Sequence, residues 1–224
     1  MIKVFAGAEN MITSLGFNAE ENALKLLNGE TGIRTDENLQ FAPELLPLSL
    51  VNHTKLNHLF TLEENKQFST LEKMFIASIR GALSKVKVDA RSGDTLFLFT
   101  TTKGNIELLD AEREKHIPRE RVLLPKMAGQ IINHFKNPNT PLIISNACVS
   151  GVMGLIYGMR YIRSGKFKHV IVSGGDLISE FIVSGFLSFQ SLSMQACKPF
   201  DKNRDGLSLG EGCGTIILSA MEDS

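Results

Sequence analysis

The sequence predicts an α/β fold in which a mixed, mostly parallel sheet carries helices on both faces. Three observations predict it. Short apolar runs of strand length alternate with longer segments whose apolar positions recur every three or four residues. Thr95-Leu96-Phe97-Leu98-Phe99-Thr100 is apolar at four consecutive positions, as a strand buried on both faces requires. Small residues and glycines, as in Ser173-Gly174-Gly175-Asp176, close such runs.

Taken in order, residues 3–6 read as a first strand. Asn18, with Glu21 three positions on, opens a helix that runs to about residue 28 and is closed by Gly29. Residues 31–65 contain Pro43, Pro47, His53 and His58 without a clean period, and read as a long surface excursion with short helices. Ser69 or Thr70 caps a helix through Lys85, because Leu71, Met74, Phe75, Ile79 and Leu83 share one helical face. Residues 95–100 form a strand, 125–135 a helix, 142–145 a buried strand and 152–163 a helix. Residues 169–173 and 214–219 complete the strands. No repeat or low-complexity tract interrupts the pattern, and 224 residues suffice for one domain.

Composition narrows the function classes. Twenty-four basic and 24 acidic residues give a formal net charge of zero, so no nucleic acid or anionic membrane surface is expected as a partner. No apolar stretch approaches the ~20 residues of a membrane span. The amino terminus meets Glu9 too early for a signal peptide. The three cysteines, Cys148, Cys197 and Cys213, are widely spaced. That argues against a disulfide framework or zinc site and for a reducing compartment, by default the cytoplasm.

Cys148 is the most informative residue. Pro141-Leu142-Ile143-Ile144-Ser145 reads as a strand, Asn146-Ala147-Cys148-Val149-Ser150-Gly151 as a small-residue turn, and a helix follows. Such a turn brings a thiol to the positive end of a helix, which is how a chain presents a nucleophile. The competing account is a buried structural thiol packing as a small hydrophobe. That account suffices for Cys197 and for Cys213, which lies between glycines ahead of a strand. Asp201 to Gly206 with Glu211 falls one position short of a calcium loop. Arg204 pairing with acidic neighbours is the simpler expectation there.

Three separated motifs carry a family resemblance. They are the Cys148 turn; Ile162-Arg163-Ser164-Gly165 followed by Val170-Ile171-Val172-Ser173-Gly174-Gly175-Asp176; and Lys198-Pro199-Phe200-Asp201-Lys202-Asn203-Arg204-Asp205-Gly206 followed by Gly210-Glu211-Gly212-Cys213-Gly214. Together they make the chain resemble the amino-terminal half of a β-ketoacyl-acyl-carrier-protein synthase of the elongating type, in the thiolase-like superfamily. The resemblance covers residues 1–224 as a single ketosynthase domain with the carboxy-terminal half absent, and implies a thiolase-like half-fold.

The resemblance implies an acyltransferase in which Cys148 takes an acyl chain from an acyl-carrier-protein or CoA thioester. Decarboxylative condensation with a malonyl-type extender follows, in fatty acid or polyketide-like biosynthesis. It also implies that the Cys148 N–H helps bind the oxyanion, that Phe186 walls the acyl pocket, that no metal or organic cofactor is needed, and that the protein dimerises. In the family two histidines and a lysine from the second half drive decarboxylation. His53, His58, His116, His134 and His169 match none of those positions, so this polypeptide alone is expected not to complete condensation. A half-fold is also expected to leave an apolar face exposed. The alternative reading is a non-catalytic partner or chain-length-controlling subunit, which retention of Cys148 disfavours. A thiolase-like acyl-CoA enzyme is disfavoured by the third motif.

Overall fold

A computed structural model describes residues 2–35, 41, 45–110 and 114–220. Five strands form one sheet: β1 (Phe5–Ile12), β2 (Thr95–Thr100), β3 (Leu142–Ile144), β4 (His169–Asp176) and β5 (Gly212–Ser219). Their order across the sheet is β1-β5-β4-β2-β3. β2 pairs in parallel with both β3 and β4, while β5 lies antiparallel between β4 and β1. β5 therefore runs against the other strands, and the sheet is mixed but mostly parallel.

Local chemistry starts the helices. Asn18 accepts from the Glu21 amide at the head of α1 (Ala19–Leu27), and Gly29 follows its end with φ 75°. α2 (His53–Asn57) and α3 (Leu62–Gln67) are the short helices of the excursion, capped by Asn52 and Thr61. Pro43 lies outside the described residues. Ser69 and Glu72 form a reciprocal capping box on α4 (Thr70–Leu83). Pro125 occupies the first turn of α5 (Leu124–Phe135), where a missing N–H costs nothing. α6 (Ser150–Arg163) follows the cysteine turn, and α7 (Glu180–Ser188), which the sequence reading did not anticipate, is capped by Ser179.

Packing sorts the helices by face. Alternate residues of β2 point opposite ways. Phe97 and Phe99 join Phe75 and Ile79 of α4 and Met127 and Ile131 of α5 in one core. Leu96 and Leu98 join Ile162 of α6 with Val170, Val172 and Leu218 in the other. Phe75 and Phe99 meet edge to face with centroids 5.4 Å apart, a pair geometry worth ~0.5–1.5 kcal/mol beyond burial. Glycines bring α6 close to the sheet. A Cβ at Gly154 would lie 2.6 Å from Thr100 Cγ2, and one at Gly158 would lie 3.0 Å from Leu218 Cδ1.

Three features depart from the sequence reading. The first strand begins at Phe5 and continues to Ile12, because the length of β5 pairs with it and carries its polar residues in the ladder, with a bulge between Ala6 and Ala8. α4 ends at Leu83 with Ser84 at its C-cap, ahead of Lys85. β3 is a three-residue edge strand, half-buried rather than core, because β2 is its single neighbour. The outer side of α6 is likewise uncovered, with Val152 61% and Tyr157 38% exposed, and Phe189 beyond α7 is 79% exposed.

Candidate active site

β3, β2 and β4 all end at one edge of the sheet, the edge where β5 begins. In open α/β sheets the crevice beyond the carboxyl ends of strands is where ligands bind. Cys148 stands there, exposed, between β3 and α6.

The turn is held by a residue the sequence reading did not single out. Ser150, buried, accepts from the Asn146 amide at 2.8 Å and donates to the Ala147 carbonyl at 2.7 Å. It therefore bridges the residues before Cys148 to the start of the helix. The Ser150 and Val149 amides add bonds to the Ala147 and Asn146 carbonyls, both at 3.2 Å. Ala147 has φ 45°, a left-handed conformation that costs a non-glycine residue free energy and persists where the surroundings enforce it. Val149, at the N-cap of α6, offers no side-chain hydrogen bond. The first-turn N–H groups of α6 thus stay uncapped by a side chain, and Cys148 lies in the turn that leads into this positive end of the helix.

A second turn abuts the first. Asp176, at the end of β4, accepts from Thr101 Oγ1 at 2.6 Å, the Thr102 amide at 3.0 Å and the Lys103 amide at 3.3 Å through Oδ1. Its Oδ2 accepts from Thr102 Oγ1 at 3.2 Å. The clamped turn reaches β3 through Thr101 N to the Ile144 carbonyl and Ser145 Oγ to the Thr102 carbonyl, each 3.4 Å. The glycine-rich motif was visible in the sequence. That its closing aspartate ties β4 to the β2 turn, 75 residues back, was not.

Phe186 is half-buried on α7. It lines a cleft of about 500 Å³ with Phe181, Ile182, Phe189 and Lys103. Lys103 belongs to the Asp176-held turn, and no residue of the cysteine turn itself lines this cleft. A second cavity of about 570 Å³, with Lys25, Arg34 and His53 in its wall, includes no residue of the cysteine turn.

Cys213 is buried beside Ser173, and burial pushes its thiol up to about 12. Cys197 is half-buried, and its amide bonds Ser208 Oγ at 3.0 Å. Glu211 reaches back across the chain. It accepts from the Val51 and Ile178 amides at 2.9 and 3.3 Å and pairs with His53 Nε2 at 2.9 Å. Arg204 donates to the Asp201 carbonyl at 3.1 Å rather than to a carboxylate. Among the described residues no cluster of three His, Cys, Asp or Glu could hold a metal ion, and no helix is long and apolar enough to cross a membrane. His134 pairs with Arg80 and His169 with Ser219. None of these histidine partners belongs to the Cys148 turn.

Comparison with known proteins matches the chain over residues 9–224 to the family model described as beta-ketoacyl synthase, N-terminal domain. The 3-oxoacyl-[acyl-carrier-protein] synthase 2 of Staphylococcus aureus is 24% identical over 91% of this chain and 55% of its own length. Probable polyketide synthase 10 of Dictyostelium discoideum is 34% identical over 44% of this chain and 4% of its own. A beta-ketoacyl synthase from Burkholderia phymatum superposes over 99% of this chain and 60% of its own, with TM-score 0.83 and 18% identity. A chain of the complex between the ketosynthase ApeO and its chain length factor ApeC, from Xenorhabdus doucetiae, superposes over 97% of this chain and 58% of its own with TM-score 0.80 and 21% identity. Those structural likenesses show a shared thiolase-like fold. The chain spans about half the length of the full-length synthases it matches.

Proposed function

The chain belongs to the beta-ketoacyl synthase family and carries its N-terminal domain, and on that premise we propose that Cys148 is the acyl-accepting nucleophile. The observation that carries the reading is the exposed thiol on a strained, serine-stapled turn at the uncapped amino end of α6. The Cys148 thiolate attacks the carbonyl carbon of an acyl-carrier-protein or CoA thioester. A new C–S bond forms, the bond to the donor sulfur breaks, and the donor leaves as a thiol carrying a proton. The Cys148 N–H, with the helix end behind it, faces the charge that develops on the carbonyl oxygen, a type of contact worth ~10²–10³ in rate. Phe186 and the cleft around it receive the acyl chain. The pathway is fatty acid or polyketide-like synthesis in the cytoplasm, and no cofactor enters.

Decarboxylation of a malonyl-type extender needs groups that this turn does not supply, since no histidine partners it. Residues 1–224 by themselves therefore acylate without completing condensation. Intact mass after mixing with octanoyl thioester tests the reading. An adduct on the native chain that Cys148→Ala lacks supports it, and carbon–carbon bond formation by residues 1–224 alone contradicts the division of labour.

The uncovered apolar side of α6 supports association with a second copy of the chain, since patches of more than a few hundred Å² rarely stay open to water. Light scattering at micromolar concentration is expected to give a dimer or larger, and a clean monomer overturns this part. The chain length factor in the Xenorhabdus complex favours one second reading, a non-catalytic partner subunit. A folded chain that forms no adduct would support it.

A further inference from the structure

The turn that Asp176 clamps carries one side chain that neither the fold nor the proposed chemistry consumes. Lys103 is exposed on the rim of the α7 cleft, with its ammonium 6.0 Å from the Phe181 ring centroid. Its backbone is fixed on two sides. Asp176 takes its amide. Beyond Gly104, Asn105 accepts from Ser69 Oγ at 2.8 Å and donates to buried Glu72 at 3.1 Å. Gly104 itself has φ 57°, and a Cβ there would meet Leu124 Cδ2 at 2.4 Å, so the turn requires glycine at this position.

The cleft is otherwise apolar in what it offers. Phe181, Ile182, Phe186 and Phe189 supply the walls. The hydroxyls of Ser184 and Ser188 are spent on the carbonyls of Phe181 and Gly185, at 3.2 and 2.7 Å. Among the described residues no carboxylate forms an ion pair with Lys103, and Glu180, which opens α7, lines the neighbouring cleft instead. An unbranched hydrocarbon chain laid here would fill the apolar walls and give the ammonium at the rim no partner. A chain ending in a carboxylate would fill the same walls and meet the cation.

We propose that Lys103 is a specificity-determining residue and that the acyl group delivered to Cys148 ends in a carboxylate. This rests on the acyl-enzyme reading above, and the experiment separates the two. Acylation rates are compared for the N-acetylcysteamine thioester of octanoic acid and the mono-thioester of octanedioic acid. The native chain should favour the acid-ended donor by about five- to tenfold, a charge-assisted contact reduced by solvent exposure. Lys103→Met should abolish that preference and Lys103→Arg should retain it. No preference in the native chain, or equal slowing of both donors in Lys103→Met, overturns the proposal. If neither donor acylates the folded chain, the acyl-enzyme reading fails by itself. Binding of free octanedioate against octanoate, followed by NMR at the cleft phenylalanines, then decides Lys103. Tighter octanedioate binding that Lys103→Met removes upholds it, and equal binding overturns it.

Discussion

Gly154→Ala tests whether α6 sits as close to the sheet as the cysteine turn requires. α6 carries three glycines whose surroundings differ in a graded way. A Cβ at Gly151 meets nothing within 4 Å. At Gly158 it would approach Leu218 Cδ1, the end of a side chain that can shift, at 3.0 Å and Val172 Cγ2 less closely, at 3.2 Å. At Gly154 it would fall 2.6 Å from Thr100 Cγ2 and 3.0 Å from Val172 Cγ1. Thr100 is β-branched and stiff about χ1, and it is buried in β2.

Replacing glycine by alanine in a helix gains ~1 kcal/mol, while overpacking a close contact costs ~1–3 kcal/mol. Gly151→Ala should therefore stabilise by up to about 1 kcal/mol, and Gly158→Ala should come out near neutral. Gly154→Ala should lose up to about 2 kcal/mol, the overpacking cost less the helix gain. In urea that loss lowers the unfolding midpoint by roughly 0.5 M at unchanged slope. The displaced helix carries Cys148 at its amino end, so Gly154→Ala should also acylate more slowly than Gly158→Ala. Equal midpoints for the Gly154 and Gly158 variants would refute the close approach, and with it the account of how the turn is held.

Two further outcomes follow from buried charge and hydrogen bonding. Burial, then the Arg80 guanidinium 2.9 Å from Nε2, hold His134 below its ordinary value, with Glu64 opposing. The folded chain thus binds fewer protons there than the unfolded chain, so stability is intact above the unfolded value of about 6.5 and is lost as pH falls below it. His169, lowered first by burial, acts in the same direction. The fall in urea midpoint on acidification should be shallower in His134→Gln than in the native chain, and an unchanged slope would contradict the pairing. Asp176→Asn replaces a carboxylate that takes bonds from Thr101, Thr102 and Lys103. It should cost about 1–3 kcal/mol and speed exchange of the Thr102 amide, whereas unchanged exchange would show that the clamp is not needed.

Much of the fold was legible because its signals are local. Ser69 with Glu72, Asn18 with Glu21 and the run of β2 are each complete within a few residues, and each forms the element it implies. Features set by distant partners were not legible. Leu142-Ile143-Ile144 has the composition of a central strand, and nothing within it records that one side has no neighbour. α7 mixes Ser184, Gly185 and Ser188 with Phe181 and Phe186, which blurs any helical period. Glu211 read as a near miss for a calcium ligand because its real partners, Val51 and Ile178, lie 160 and 33 residues away. At the candidate site the strand–turn–helix setting of Cys148 was legible, and the structure forms it. Ser150, Asp176 and Lys103 became functional candidates when the turns of β2, β3 and β4 were brought to one edge.

The central claim, that this domain builds a working nucleophile at Cys148, is tested most directly by locating the acyl group among three thiols. The native chain, Cys148→Ala, Cys197→Ala and Cys213→Ala would each be mixed with octanoyl thioester, analysed by intact mass and peptide mapping, and checked for folding by circular dichroism. The account predicts a single adduct, on Cys148, present in every chain except Cys148→Ala. Buried Cys213, its thiol pushed up to about 12, should stay unmodified. An adduct that survives Cys148→Ala, or a folded native chain with none, would contradict it.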